Sequence, residues 1–176
     1  MGFRLLSVSL CVLGLSACAG PIETRILSSG EGSGTPQTIL REDLPQSAIA
    51  AQARQLAAQQ LEERGYGQSD AGVLQLHVAF AERDASIAVR TKSTDAVRDI
   101  AAAKPKKPLQ SCKDREMRLS VTLTRIADGA VLYRGSAAEF HCNAGAANVM
   151  PSLVDAALRD LDQPKGAYSV KRQGLE

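Results

Sequence analysis

Residues 117–133 read Met117-Arg-Leu-Ser-Val-Thr-Leu-Thr-Arg-Ile-Ala-Asp-Gly-Ala-Val-Leu-Tyr133, and their pattern decides the fold class. Met117, Leu119, Val121 and Leu123 alternate with Arg118, Ser120, Thr122 and Thr124, the period of a strand with one buried face. Asp128-Gly129 is a strong signal for a tight hairpin turn between two strand patterns. Beyond it Val131 and Tyr133 alternate on one parity, and Ala138 and Phe140 on the other. A bulge at Gly135 would carry all four to the core face. A two-residue turn at 128–129 would pair position 115 with Cys142, three residues from Cys112. The two cysteines therefore fall at the open end of the hairpin, where a disulfide would close a loop of about 31 residues, for roughly 3–4 kcal/mol of stabilisation.

Upstream, Val73 to Phe80 alternates in the same way, with Leu74, Leu76, Val78 and Phe80 on one face. Ile87 and Val89 stand on the opposite parity, so a turn or bulge belongs near Glu82-Arg83-Asp84. Two amphipathic helices frame these strands. The first spans Ser47 to Arg64: Ser47 caps it, Ile49, Ala53, Leu56, Ala57 and Leu61 recur at helical spacing, Gly65 stops it, and Tyr66 closes the cap. The second runs from about Asn148 to Leu161, with Pro151 in its first turn. Thr24–Leu27 and Thr38–Leu40 are short strand candidates. Residues 28–36 are flexible by composition, and residues 91–110 show no sustained period and read as a long basic loop. The expected fold is α+β: an antiparallel sheet of about four to five strands with two helices packed on one face, in the order β-α-β-β-β-β-α. The expected division is residues 1–17 as an export signal, 18–36 as a tether, 37–164 as one domain and 165–176 as a mobile tail.

The N-terminus has Arg4, an apolar run through Leu15, and small residues before Cys18, which are the parts of an export signal. Leu15-Ser16-Ala17-Cys18 resembles the lipobox of bacterial lipoproteins. That resemblance implies cleavage before Cys18 and acylation of its thiol and amino group, and several acyl chains anchor stably where one does not. Ala19, which is not Asp, implies the outer membrane facing the periplasm. From Ser47 onward the chain is similar to a family of bacterial envelope lipoproteins built on a domain of unknown function. The similarity rests on Leu61-Glu62-Glu63-Arg64-Gly65-Tyr66, on Val73-Leu74-Gln75-Leu76-His77-Val78, and on Leu119 to Gly135. It implies architecture and location and lends no activity.

Composition narrows the remaining classes. The chain has 21 Lys and Arg against 19 Asp and Glu, and loss of residues 1–17 would take the formal charge from +2 to +1. Such a balance does not suit a nucleic-acid binder. With no Trp, three Tyr and three Phe, stacking platforms for bases or sugars are scarce. His77 and His141 are the only histidines. His77 reads as a half-exposed strand residue, and His141 lacks partners at metal-ligand spacing once Cys112 is used in a bridge. No nucleophile elbow, phosphate loop or His-Glu-x-x-His stretch occurs. The sequence therefore predicts no catalytic set, no metal and no cofactor. Lys92, Arg98, Lys104, Lys106 and Lys107 form the candidate contact for an anionic envelope component. The expected function is a lipid-anchored, non-catalytic interaction or envelope-assembly domain with an envelope protein as partner. The alternatives are a small-ligand or lipid carrier using a helix–sheet cleft, and an envelope enzyme.

Overall fold

The computed structural model describes residues 21–32, 34–42, 47–92, 97–106 and 112–173. Nine strands and two helices are assigned among them: β1 (Ile22–Ser29), β2 (Ile39–Leu40), α1 (Ala48–Glu63), β3 (Gln68–Ser69), β4 (Leu74–Asp84), β5 (Val89–Lys92), β6 (Val97–Ala101), β7 (Arg115–Arg125), β8 (Val131–His141), α2 (Ala146–Leu158) and β9 (Gly166–Arg172). Seven strands form one sheet in the order β3-β2-β4-β7-β8-β1-β9, and β5 and β6 form a separate hairpin. The two short strands pair in parallel, β2 with β3 and with β4, while β4, β7, β8, β1 and β9 run antiparallel. The class is α+β, as expected. The sheet is larger than four to five strands, and it is mixed instead of purely antiparallel.

The added strands come from both ends of the chain. β1 lies inside the expected tether and pairs on both sides, with β8 and β9. β9 occupies the expected mobile tail. Each is stabilised by burial that depends on the other: Ile22 and Ile26 of β1 are buried, and Tyr168 and Val170 of β9 pack against the core. A further departure is the β5–β6 hairpin, which stands where the sequence predicts a long basic loop with at most one helical turn near Ala96–Ala102. The chain turns into it after Asp84, one step beyond the expected break, so that Ala85 is buried.

Both helices pack on one face of the sheet. α1 is built as its sequence dictates. The Ser47 side chain accepts from the Ala50 amide, and the Gly65 and Tyr66 amides donate to the Glu62 and Leu61 carbonyls with Gly65 at φ 93°. Its buried side is Ala53, Ala57, Ala58 and Leu61, small enough to bring the helix close to the strands. α2 starts earlier than expected, so Pro151 lies beyond the first turn. Its apolar side, Met150, Leu153, Val154, Ala157 and Leu158, meets Met117, Leu119, Val121 and Leu123 of β7 in one core. Gly135 is not a bulge. The register shift falls opposite Leu123 and Thr124, beside the turn, and leaves Leu132 as the extra residue. Consequently Tyr133, Ala137 and Glu139 face the helices, and Val131, Ala138 and Phe140 face the other way. The four apolar residues 131, 133, 138 and 140 do not share a face.

Candidate functional site on the uncovered face of the sheet

Period-2 alternation assigns the face that the helices leave uncovered. It presents Gln75, His77, Ala79 and Ala81 of β4 and Glu116, Arg118, Ser120 and Thr122 of β7. From β8, β1 and β9 it presents Arg134, Ser136 and Phe140, then Arg25 and Leu27, then Ala167 and Ser169. Most are small or polar, which suits a solvated sheet face.

One carboxylate organises this face. Glu116 is 2% exposed although no helix covers it. Its Oε1 accepts from Arg25 and, at 3.1 Å, from Arg118, while its Oε2 accepts from Arg83. Burial pushes the Glu116 carboxyl up, but the guanidiniums of Arg25, Arg118 and Arg83 outweigh it and hold the group below the usual carboxylate range. Phe140 stands directly across from Glu116 on β8.

The three arginines have different duties. Arg83 also donates to the carbonyls of Asp84, Ile87 and Ala102, so it fastens the base of the β5–β6 hairpin to the end of β4. Arg25 lies 4.4 Å from the centre of the Phe140 ring, which also receives Lys104 at 4.7 Å. The Arg25 Nε is buried with no partner among the described residues. Arg25 and Arg118 then line one side of an open groove of about 390 Å³, shared with Leu27, Ser136, Ala167 and Ser169.

The Cys112–Cys142 disulfide is present, with Cα atoms 5.6 Å apart. It ties the strand-leading segment before β7 to the end of β8. Next to it Lys104 pairs with Asp114 at 2.6 Å, and the Lys104 amide donates to the Ala85 carbonyl. Lys104 is thus engaged in holding this segment down. Lys106 lines a small cleft of about 160 Å³ with Asp84, Lys113 and Asp114. Lys92 and Arg98 stand on the β5–β6 hairpin, one near each side of its tip. Lys107 and Cys18 lie outside the described residues.

The helix-covered face holds two buried polar sets. Glu139 accepts from Thr24 at 2.6 Å, from Arg172 at 2.6 and 3.0 Å, and shares 2.8 Å with His141 Nε2. Burial pushes the Glu139 carboxyl up, yet the bonds from His141, Arg172 and Thr24 bring it down to about 2. Asp160 accepts from Ser28 at 2.9 Å and from Tyr168 at 2.8 Å. Both sets link β1, β9 and the helix layer. His141 is 2% exposed and Glu139 fully buried, so neither can meet a substrate from solvent. Their chemistry is that of structural pins. His77, by contrast, is exposed on the open face opposite Thr122. Among the described residues, no group of three or more His, Cys, Asp or Glu is arranged to hold a metal ion, and no helix is long and apolar enough to cross a membrane.

The arginine set was not among the expected contacts. Arg118 reads as one polar position of an alternating strand, and Arg25 lies in a short strand candidate. Arg118 lies two residues from Glu116 on the same face of β7, a local neighbour, but nothing local marks Arg25 as converging there; only the β7–β8–β1 pairing brings it in.

Comparison with known proteins adds fold and no family. No protein-family model matches the chain, and no curated protein is significantly similar to it. Among solved structures it is similar to a PDZ domain protein from Parabacteroides distasonis, with a TM-score of 0.57 and 8% identity over 87% of this chain. The match covers 39% of that protein's chain. A PelC dodecamer subunit from Paraburkholderia phytofirmans matches with a TM-score of 0.47 at 13% identity, over 80% of this chain and 99% of its own.

Proposed function

We infer that this chain is a lipid-anchored domain of the bacterial envelope that docks a partner through the uncovered face of its sheet and catalyses no reaction. One observation carries the reading. The sheet is sealed by two helices on one side, and on the other it is left open with a groove lined by Arg25 and Arg118. An enzyme would converge titratable groups on an accessible pocket. Here the perturbed carboxylates Glu116 and Glu139 are each saturated by cations and hydroxyls that fasten strands together.

Location enters from the N-terminus. Leu15-Ser16-Ala17-Cys18 supports acylation of Cys18 and attachment to the outer membrane on its periplasmic side. The Cys112–Cys142 disulfide suits an oxidising compartment. Contact of the basic residues of segment 91–107 with an anionic envelope component stays a second proposal.

Crosslinking in intact envelopes, followed by mass spectrometry of adducts to this chain, tests the docking role. The expected result is a reproducible protein partner whose adduct peptides map to the open face. Recovery of the chain without any partner under several crosslinker chemistries would contradict it.

A further inference from the structure

We propose that the groove lined on one side by Arg25 and Arg118 receives a carboxylate-rich peptide segment of a partner protein; this rests on the docking role above and names the chemistry of its ligand.

The donor count points to an anion. Three guanidiniums surround the single Glu116 carboxylate, leaving two positive charges uncompensated at that point. Arg83 spends its donors on Glu116 and on three backbone carbonyls. Arg118 and Arg25 each spend one on Glu116, and their side chains stay 36% and 35% exposed. Glu116 therefore orients two planar forks beside the groove without exhausting them, and such forks match carboxylates in two-point contact.

The remaining lining separates peptide from other anions. Ser136 and Ser169 offer hydroxyls, Ala167 is small, and Leu27 is 48% exposed beside them. Hydroxyls on a small-residue floor suit the amides of an extended chain, and Leu27 supplies one apolar contact. A sugar would need an aromatic face; Phe140 is already occupied by Arg25 and Lys104, and Tyr168, although it borders the groove, packs against the core with its hydroxyl on Asp160. A flat lipid surface would engage protruding side chains, not a groove floor. The volume of about 390 Å³ falls at the small end of ligand-site sizes, roughly 300–1,000 Å³, which suits a few residues of chain. The groove also reaches β9, the last strand of the sheet, so a bound segment can enter and leave over that edge.

The test uses the full-length chain carrying Cys18→Ser and a fluorescent glutamate-rich octapeptide, read by anisotropy. A glutamine-rich octapeptide, phosphatidylglycerol vesicles and polygalacturonate serve as competitors. The glutamate peptide is expected to bind saturably and to weaken as salt rises. Arg25→Gln and Arg118→Gln should each weaken it by about tenfold. Because both arginines also hold Glu116, Ser136→Asp provides a variant that places a negative charge in the groove without touching that set, and it should abolish binding with an unchanged melting temperature. The proposal is overturned by no binding of the glutamate peptide, by undiminished binding to Ser136→Asp, or by preference for the vesicles or the polyuronate. Envelope crosslinks on the open face would survive those outcomes, so failure here is distinguishable from failure of the docking role.

Discussion

The carbonyl oxygen of Ala157 occupies the space a side chain at residue 135 would need: a Cβ built on Gly135 would lie 1.9 Å from it and 2.5 Å from the Tyr133 hydroxyl. The Tyr133 hydroxyl donates to that same carbonyl at 2.6 Å, so the end of α2 is clamped directly onto β8. Gly135→Ala must push the backbone of α2 away from the sheet. We expect a loss of about 3 kcal/mol, measured by urea unfolding. A change under 0.5 kcal/mol would show that α2 does not rest on β8 at this point.

Reduction of Cys112–Cys142 releases the segment that carries Lys104 and Asp114. The unfolded chain regains the freedom of a loop closed across a sequence separation of 30 residues. Cys112→Ser with Cys142→Ser should cost about 3 kcal/mol. Hydrogen exchange should rise at residues 102–106 and 112–114 well before it rises in β7. Uniform exchange across the whole domain would argue instead that the bridge stabilises only globally.

Acid stability should report Glu139. Its carboxyl titrates at about 2 in the folded chain, below its ordinary value of 4.5. A depressed folded value means stability that is fully present above the ordinary value and is lost as pH falls through about 2. Glu139→Gln should flatten the decline of stability between pH 4.5 and 2. At neutral pH it should cost about 3 kcal/mol, because Arg172 loses its buried counter-charge. Unfolding curves taken across that range for both proteins read this directly.

Attachment to the membrane is predicted to rest on Cys18. Cys18→Ser should move the chain from the sedimenting envelope fraction into the soluble fraction, with the folded domain intact by circular dichroism. Equal sedimentation of both forms would remove lipid attachment from the proposal.

The first helix and the strands β4 and β7 are readable because their signals are local. Ser47, Gly65 and Tyr66 make their cap within a few residues, and the alternation of Leu74–Phe80 and Met117–Leu123 needs only a period of two. β1 and β9 were not readable as a central strand and its neighbour. Their pairing joins residues far apart, such as Thr24 with Val170, and neither segment has a hydrophobic run of its own. The face of Phe140 was lost for a different reason. The irregularity sits at Leu132, and a one-residue slip there reverses every later side chain on β8. The groove combines both difficulties. Arg118 stands beside Glu116 on β7 itself, and Arg25 joins them only after β1 has paired with β8 and β8 with β7.

Photocrosslinking by position tests the docking face most directly. A photoreactive residue placed at Ala79 or Ala167 samples the open side, and one at Gln55 or Asp155 samples the helix side; all four positions are exposed. Illumination of intact envelopes should give a discrete protein adduct from Ala79 and Ala167 and none from Gln55 or Asp155. Adducts arising from the helix positions alone would contradict docking through the uncovered sheet.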